Sequence, residues 1–311
     1  MILVVGLSPA WQRTLLFEKF IPRKVNRAKH VSETASGKGV NVARVANILG
    51  ADVRLLTVAG GHRGKLLEKS IREKGIGARI VCVEAETRVC QTLLASNTTA
   101  ELVEEAGALS AAEVKDVMRA FAAEVPRADF VILTGTVPKG CGNDFYARLV
   151  DESKRHGTRV LIDAQETQLR NALRRRPFLA RVNRDELMAA TRAEQGGRTD
   201  VLRALDRLMR HGPQWAVISD GAKNVYVGEY PGNRVLALRP PRVKAKNAIG
   251  SGDAMMAGIA IGLFQDMSMP DAARFGMACG AANAITDEPG FVRVPDVRRL
   301  CWTRTKHVPI V

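Results

Sequence analysis

Glycines and a single carboxylate are concentrated directly before a long apolar segment near the carboxyl end of the chain. Residues Gly250–Asp253 have the sequence Gly-Ser-Gly-Asp, and the following residues Ala254–Phe264 are apolar on every face of a helix. This pattern is typical of a buried helix, whose first turn presents free N–H groups and the positive end of the helix dipole to a ligand. Because glycine lets the backbone approach that ligand closely, the segment predicts a phosphate-binding helix start.

Asp253 has two interpretations at this position. As a capping or first-turn carboxylate it would contribute roughly 0.5–2 kcal/mol to stability. As a general base facing a phosphoryl group held by the same turn, it would contribute on the order of 10²–10⁴ in rate. The spacing alone supports both interpretations equally.

Two other phosphate-binding patterns fit the chain poorly. The segment Ser36–Asn41 resembles a truncated Walker motif, but Gly39 follows the lysine and no upstream glycine is correctly placed. The segment Gly6–Trp11, after the first apolar run, lacks the GxGxxG pattern of a dinucleotide site.

The elements that must position Asp253 alternate between strands and helices. Short apolar runs occur at residues 2–5, 53–58, 130–133, 159–162 and 215–219, and helical patterns lie between them, as at 41–49 and 111–121. This alternation predicts an α/β fold with a mostly parallel sheet covered by helices on both faces. Ligands bind at the carboxyl ends of such strands, and residues 241–253 are interpreted as one strand-to-helix connection.

Two regions interrupt this rhythm. Residues from about 12 to 31 and from about 79 to 100 carry alternating patterns without a long helix. They predict antiparallel strands outside the main sheet, which would form a small lid. No linker or repeat divides the chain, so we predict a single domain over residues 1–311 with this lid appended.

The net charge of +15 could steer anionic substrates or mark a nucleic-acid binder. Runs such as Leu169–Arg176 and Val297–Leu300 instead place arginines among apolar residues at helical spacing, as on solvated helix faces. Aromatic residues are only 5% of the chain and do not alternate with basic ones. We therefore predict no nucleic-acid partner.

The composition also predicts a location. No apolar stretch is long enough to span a membrane, and the amino terminus lacks the pattern of a signal peptide. We therefore expect a cytoplasmic protein without a membrane partner. The five cysteines form no CxxC pair, which favours reduced thiols over disulfides or a zinc site.

Two segments taken together resemble the signatures of a known family. Ser36–Arg44 and Asn247–Asp253 resemble those of the ribokinase-like, or PfkB-type, carbohydrate kinases, in particular the 1-phosphofructokinase and tagatose-6-phosphate kinase group. Segments between them follow the family's order, at Glu86–Arg88, Leu133–Pro138, Leu161–Asp163, Asn183–Glu186 and Ile218–Ala222. The resemblance implies a three-layer α/β/α domain with a β-sheet lid that closes over the sugar and often helps to form a homodimer.

The resemblance also implies a reaction, the ATP-dependent phosphorylation of a ketohexose phosphate. The acceptor would be fructose 1-phosphate at O6 or tagatose 6-phosphate at O1. Asp253 would be the catalytic base, and the backbone amides of Gly250, Ser251 and Gly252 would stabilise charge on the transferred phosphoryl group.

The matched positions imply further roles in binding. Asn183 and Glu186 would organise Mg²⁺ near the ATP phosphates, Glu186 through water; the other nucleotide-binding positions are Ser219, Gly221, Gly280 and Asn283. Gly37, Lys38 and Asn41 would contact sugar hydroxyls. Arg27 and Arg88 would contact the phosphate already on the substrate, because a guanidinium suits phosphate geometry.

One departure from the family pattern leaves the acceptor open. Gln12 stands where the family has an aspartate that binds sugar hydroxyls. A kinase of an unphosphorylated sugar or nucleoside on the same fold is therefore the alternative. A third interpretation, suggested by the charge, is a non-catalytic sugar-phosphate-binding or nucleic-acid-binding regulator, although intact Asp253 and Glu186 favour an enzyme.

Overall fold

The protein contains a nine-stranded sheet covered by helices and a separate four-stranded sheet. The computed structural model describes residues 1–194, 196–210, 212–232 and 234–302. The strands are β1 (Ile2–Val5), β2 (Ala10–Leu16), β3 (His30–Ser36), β4 (Val53–Ala59), β5 (Gly77–Cys82), β6 (Arg88–Ala95), β7 (Thr98–Val103), β8 (Phe130–Thr134), β9 (Arg159–Asp163), β10 (Leu179–Asn183), β11 (Trp215–Asp220), β12 (Asn224–Glu229) and β13 (Arg234–Leu238). The helices are α1 (Lys38–Ile48), α2 (Gly61–Glu73), α3 (Ala111–Glu124), α4 (Phe145–Arg155), α5 (Glu166–Leu173), α6 (Arg184–Thr191), α7 (Arg198–Arg210), α8 (Ser251–Phe264), α9 (Met269–Ala284) and α10 (Val294–Trp302).

The large sheet has the strand order β13-β12-β11-β10-β9-β8-β1-β4-β5. Its strands are parallel from β5 to β11, and β12 and β13 are antiparallel additions at one edge. The chain builds outward from β1 through β4 to β5 and then returns to place β8 on the other side of β1. The strand order therefore reverses between β1 and β8, which is where an open α/β sheet forms its ligand crevice.

Two apolar cores lie on opposite faces of this sheet, as the continuous apolar strands predict. Ile2 and Val4 of β1 belong to the core that contains residues of α1, α2, α8, α9 and α10. Leu3 and Val5 belong to the other core, with residues of α3 to α7. The predicted three-layer α/β/α fold with a mostly parallel sheet is thus confirmed.

The small sheet has the strand order β3-β2-β6-β7 and corresponds to the predicted lid. Its inner positions include polar side chains, and Gln12 Nε2 of β2 donates to Thr92 Oγ1 of β6 at 2.9 Å. The backbone N–H of Ala35 donates to Ser70 Oγ of α2 at 3.3 Å, which ties β3 to the main body.

Two details of the predicted lid are wrong. The strand around Ile80 is β5, which pairs in parallel with β4 in the large sheet, so the second lid segment begins at Arg88. Within the lid, β2 and β6 are parallel, whereas β2–β3 and β6–β7 are antiparallel. An alternating pattern shows that one face of a strand is exposed, but it does not identify the sheet or the direction of the neighbouring strand.

Helix α8 is buried from Asp253 to Leu263, as predicted, but no strand leads into it. Strand β13 ends at Leu238, and residues 239–250 are irregular. Pro240 and Pro241 explain this, because proline has no N–H with which to continue a sheet ladder. The interpretation of residues 241–253 as a strand-to-helix connection is therefore wrong.

Close packing against α9 and the following loop fixes the position of α8. A Cβ atom on Gly258 would lie 2.8 Å from Gly276 Cα, and one on Gly250 would lie 2.4 Å from the backbone nitrogen of Gly290. Such contacts leave no room for a side chain at either glycine.

Two expectations from composition concern the whole molecule. No disulfide joins the five cysteines, all of which lie in the described part of the chain; Cys82 is exposed whereas the other four are buried. Within the described ranges, every helix is too short or too polar to cross a membrane.

Candidate active site

Charged side chains from distant parts of the chain meet at the carboxyl edge of the parallel strands. Asp163 ends β9, Asn183 ends β10, and Ser219 lies at the end of β11. Lys38 begins α1, and Asp253 lies in the first turn of α8. The carboxyl edge of the parallel strands thus brings Asp163, Asn183 and Ser219 together with the starts of α1 and α8.

The start of α8 carries no side-chain cap. The N-cap residue is Gly250, in the left-handed conformation with φ of 79°, and no side chain hydrogen-bonds to the first turn as a cap. Asp253 is therefore not the capping residue. A glycine-rich helix start without a capping side chain leaves first-turn N–H groups for an anion, so an ATP phosphate group fits this position.

Asp253 is instead held by Asn41 from α1. Asn41 Nδ2 donates to Asp253 Oδ2 at 2.8 Å, and Asn41 Oδ1 accepts from the Ser36 hydroxyl at 3.1 Å. Because the amide is fixed at both ends, it fixes the orientation of the carboxylate. The asparagine of the predicted sugar-binding segment therefore also contacts the predicted base.

Burial changes the protonation of Asp253. Only 6% of this residue is exposed, and burial, reinforced by the negative charge of Asp163, raises its pKa to about 6. Lys38, the hydrogen bond from Asn41 and Arg181 act in the opposite direction and limit the rise. A carboxylate that titrates near neutral pH is suited to accepting a proton from a substrate.

A network of ion pairs lies next to Asp253. Asp163 is completely buried, and its two oxygens accept from Lys38 Nζ at 2.7 Å and from Arg181 Nη1 at 2.8 Å. Burial alone would raise the pKa of Asp163, but these two cations hold it below its usual value. Burial opposes the charge on Lys38, yet Asp163, Asp253 and Glu186 together raise the pKa of its ammonium. The groups therefore remain charged, and the 31% exposed Lys38 side chain is accessible from the site.

Arg181 places a second cation beneath the glycine turn. A Cβ atom on Gly252 would lie 2.6 Å from Arg181 Nη1, and Arg181 Nη2 donates to Ser219 Oγ at 2.9 Å. Gly252 thus allows the guanidinium to approach the first turn of α8, where positive charge favours an anion.

Asp163 and Arg181 were not among the residues predicted for the site. Their signal in the sequence is a lone acid at the end of an apolar strand and a lone arginine inside the apolar run Leu179–Val182. A buried charge is costly unless it is paired, so each of these residues implies a partner. The sequence does not identify that partner because each pair joins residues from different secondary-structure elements.

Asn183 and Glu186 form a capping box at the start of α6. Glu186 N–H donates to Asn183 Oδ1, and Asn183 N–H donates to Glu186 Oε2, both at 2.8 Å. Gln165 Nε2 donates to Glu186 Oε1 at 2.7 Å, and Lys38 Nζ lies 3.7 Å from the same oxygen. Among the described residues, no group of three or more His, Cys, Asp or Glu could hold a metal ion. The single carboxylate fits Mg²⁺ that is held mainly by water and phosphate oxygens.

The start of α1 lies against the loop that follows β1. Gly37 has a φ of 100°, and a Cβ atom there would lie 2.9 Å from Pro9 Cα and from the Ser8 carbonyl oxygen. Gly39 similarly lies against Gly6, where a Cβ atom would lie 2.6 Å from Gly6 Cα. These close approaches place Lys38 and Asn41 at the crevice between β1 and β8.

The predicted phosphate-binding arginines lie in different environments. Arg88 donates to the carbonyl oxygens of Ser8 and Glu104, each at 2.9 Å, and to that of Pro9 at 3.4 Å. Its guanidinium therefore joins the lid to the loop after β1. Arg27 is exposed on the loop between β2 and β3. Gln12 is buried in the lid, where its amide bonds to Thr92.

Two of the predicted nucleotide-binding residues, Gly280 and Asn283, support the turn before α8. Asn283 Nδ2 donates to the Ile249 carbonyl oxygen at 2.8 Å and to Ser251 Oγ at 3.1 Å. A Cβ atom on Gly280 would lie 2.9 Å from the Ser251 carbonyl oxygen. Gly221, in the turn between β11 and β12, is exposed, and nothing lies within 4 Å of its Cβ position.

Comparisons with known proteins relate this chain to carbohydrate kinases. The model of the pfkB family of carbohydrate kinases matches residues 1–290. A tagatose-6-phosphate kinase from Staphylococcus epidermidis is 26% identical over 295 residues, which are 94% of each chain.

Solved structures share the fold at lower identity. Phosphofructokinase-2 from Escherichia coli superimposes with a TM-score of 0.88 at 22% identity, over 97% of this chain and 98% of that one. A candidate 1-phosphofructokinase from Thermotoga maritima gives a TM-score of 0.88 at 21% identity, over 96% of this chain and 97% of that one. These likenesses show a ribokinase-like α/β fold.

Proposed function

We propose a specific reaction for this chain, which belongs to the pfkB family of carbohydrate kinases. In this proposal it transfers the γ-phosphoryl group of ATP to a hydroxyl of a ketohexose phosphate, either O6 of fructose 1-phosphate or O1 of tagatose 6-phosphate. The observation that carries the proposal is the Asp253 carboxylate, oriented by Asn41 at 2.8 Å beside an uncapped, glycine-rich helix start. A proton acceptor and an anion site are thereby adjacent.

Asp253 acts as the general base in this reaction. It accepts the proton of the acceptor hydroxyl while that oxygen attacks the γ-phosphorus and the bond from γ-phosphorus to the leaving ADP oxygen breaks. The amides of Gly250, Ser251 and Gly252 hold the transferred phosphoryl group. Lys38 and Arg181 add positive charge where negative charge spreads over the phosphoryl oxygens.

Asn183 and Glu186 bind the metal side of the nucleotide in this proposal. Mg²⁺ would neutralise charge on the ATP phosphates, with Glu186 holding it through water. Ser219, Gly221, Gly280 and Asn283 would contact the nucleotide, the last two through the turn that they support.

The acceptor assignment is supported by the relatives. The matched S. epidermidis protein is named for tagatose 6-phosphate, and a phosphofructokinase is among the proteins with this fold. Gly37, Lys38 and Asn41 would contact the sugar, with Gln12 behind them in the lid. Arg27 has no competing contact in the described structure, so it is the freer of the two predicted phosphate-binding arginines; Arg88 is already bonded to three carbonyl oxygens.

A substrate screen tests this function. ATP consumption is measured with fructose 1-phosphate, tagatose 6-phosphate, fructose, tagatose, ribose and a nucleoside. We expect kcat/KM for at least one of the two ketohexose phosphates to exceed that of its unphosphorylated sugar by at least about 100-fold, because a fully paired phosphate contributes several kcal/mol.

A second candidate, a kinase of free sugars or nucleosides, is favoured by the uncharged Gln12. The screen separates the two. Faster turnover of fructose, ribose or a nucleoside than of both ketohexose phosphates would replace the phosphosugar assignment. No ATP turnover with any acceptor, in protein that is folded and binds ATP, would contradict kinase activity itself and favour the regulator.

The lid supports the predicted homodimer. Its strands and their loops expose Leu16, Val31, Leu102 and Val103, each at least 40% accessible. The strand register places Leu16 and Val103 on one face of this sheet and Val31 and Leu102 on the other, and a second copy of the chain would cover exposed apolar side chains of this kind. Light scattering is expected to give twice the chain mass of 33.8 kDa. The monomer mass at micromolar concentration would contradict the dimer.

A further inference from the structure

A second cavity opens at the edge of the large sheet opposite the candidate active site. It has a volume of about 610 Å³ and lies at the amino ends of β9, β10 and β11. Because these strands are parallel, their full length separates this cavity from Asp163 and Asn183 at their carboxyl ends. A ligand here would occupy a site distinct from the catalytic one.

The cavity is lined by cations. Lys154 comes from α4, Arg159 begins β9, Arg176 lies between α5 and β10, and Arg210 ends α7. No acidic side chain belongs to the described lining residues. Four positive charges from three successive helix-to-strand connections therefore converge on one space, which favours a ligand with two or more negative charges.

Helix stabilisation accounts for only part of this charge. Lys154 and Arg210 lie in the last turns of their helices, where a cation complements the helix dipole. Arg210 also pairs with Asp206 at 2.9 Å on its own helix. Arg159 and Arg176 lie outside the helices, so the dipole does not explain them.

Arg159 is fixed in place before any ligand arrives. Its guanidinium carbon lies 4.5 Å from the ring centroid of Phe130 and 5.3 Å from that of Phe178. Cation–π contacts of this kind hold an arginine without neutralising it. Since its side chain is already ordered, binding an anion costs less conformational entropy.

Thr158 and Gln214 add two polar side chains to the lining, and most of the remaining residues are apolar. The apolar residues are Val150, Val160, Pro177, Phe178, Tyr230 and Pro231. The volume is in the range of small-molecule sites, which combine apolar walls with a few charged groups. Inorganic phosphate alone would leave this apolar part uncovered.

We propose that this cavity binds a phosphorylated organic anion. The phosphoryl group lies among Arg159, Arg176 and Arg210, whose planar donors suit phosphate oxygens, and the organic part lies against Phe178 and Tyr230. The site is independent of the acceptor bound at the catalytic edge.

The test compares two double variants by calorimetric titration. Arg176→Ala with Arg210→Ala removes two lining cations. Arg174→Ala with Arg203→Ala is the matched control, since it removes two exposed arginines from the end of α5 and from α7 that do not line the cavity. Both proteins lose the same charge, and thermal unfolding checks that both are folded.

The titrated probes are ATP, AMP, fructose 1-phosphate and inorganic phosphate. We expect the unmodified protein to show a binding event for an organic phosphate that weakens at least about tenfold in R176A/R210A and is unchanged in R174A/R203A. Binding at the catalytic site persists in both variants. If R176A/R210A binds only ATP and AMP more weakly, the ligand is a nucleotide. If it binds only fructose 1-phosphate more weakly, the ligand is a sugar phosphate. Weaker binding of all three compounds identifies the phosphoryl group as the recognised part.

Two results would overturn the proposal. The first is wild-type affinity and stoichiometry for all four probes in R176A/R210A, which would leave the cations with a role at the helix ends only. The second is a loss confined to inorganic phosphate, which would contradict an organic ligand.

Discussion

Asp253→Asn is expected to lower kcat by roughly 10²–10⁴-fold while ATP affinity changes by less than about threefold. The amide keeps the size of the side chain and an oxygen that accepts from Asn41, so the geometry of the site is preserved. It does not accept a proton at neutral pH, and therefore the hydroxyl of the acceptor stays protonated during attack. Steady-state turnover and ATP titration measure the two quantities.

The matched control is Asp271→Asn. Asp271 is also a first-turn aspartate, in the neighbouring helix α9. Its carboxylate accepts from the Ser268 hydroxyl at 2.7 Å and from Arg274 Nη1 at 2.8 Å, and neither partner belongs to the proposed site. Its replacement is expected to leave kcat unchanged. Turnover of Asp253→Asn within about tenfold of the unmodified protein would remove Asp253 from the role of base.

The stability of Asp253→Asn should separate a lost base from a damaged fold. The pKa of Asp253 is raised from 3.8 to about 6 in the folded protein, so protonation stabilises the fold fully below pH 3.8, and this contribution is lost as the pH rises through 6. At pH 8 the buried carboxylate is ionised at a cost on the order of 3 kcal/mol. The uncharged asparagine avoids this cost, so the variant is expected to unfold at a higher temperature than the unmodified protein at pH 8.

Lys38→Met is expected to reduce kcat by roughly 10²-fold or more and to change the pH dependence of the reaction. In the unmodified protein, kcat/KM should rise with pH through an apparent pKa near 6, because only the ionised form of Asp253 accepts a proton. Lys38 is the strongest of the charges that lower the pKa of Asp253. Its removal should therefore displace the acid limb to higher pH, which pH–rate profiles of both proteins would measure.

Lys74→Met is the control for this change. Lys74 is similarly accessible, at 34%, and pairs with Glu288 at 2.9 Å, but it caps α2 and has no contact with Asp253. Its profile is expected to match that of the unmodified protein. An acid limb that stays near pH 6 in Lys38→Met would show that Lys38 does not act on the group that titrates.

The parts of the fold that depend on local sequence could be predicted. The apolar runs became β1, β4, β8, β9 and β11, and the all-apolar segment after Asp253 became the buried helix α8. These predictions succeed because burial on both faces of a strand, or around a helix, leaves a pattern in consecutive residues. The error at β5 has the opposite cause, since an edge strand with one exposed face has the same pattern in either sheet.

Only those site residues that belong to a local sequence motif could be predicted. The glycines and Asp253 are adjacent in sequence, and their position at a helix start follows from the apolar segment after them. Asp163 and Arg181 were missed because their pairing depends on strand register and on a lysine more than a hundred residues away. The contacts of Arg88 with the loop after β1 likewise depend on the position of the small sheet relative to the large one. The residues next to Arg88 in the sequence do not encode that position.

The cavity at the opposite edge has no signal in any single segment. Its cations come from four separate places between Lys154 and Arg210, and each resembles an ordinary surface residue in the sequence. Only the alignment of three parallel strands brings them together.

The pH–rate profile of Asp253→Asn tests most directly whether the acid limb belongs to this carboxylate. The kcat/KM of the unmodified protein and of the variant is measured from pH 5 to pH 9 with the best acceptor from the screen. We expect a limb near pH 6 in the unmodified protein and a low, level profile across this limb in the variant. A limb with the same midpoint in Asp253→Asn would show that another group accepts the proton and would contradict the proposed mechanism.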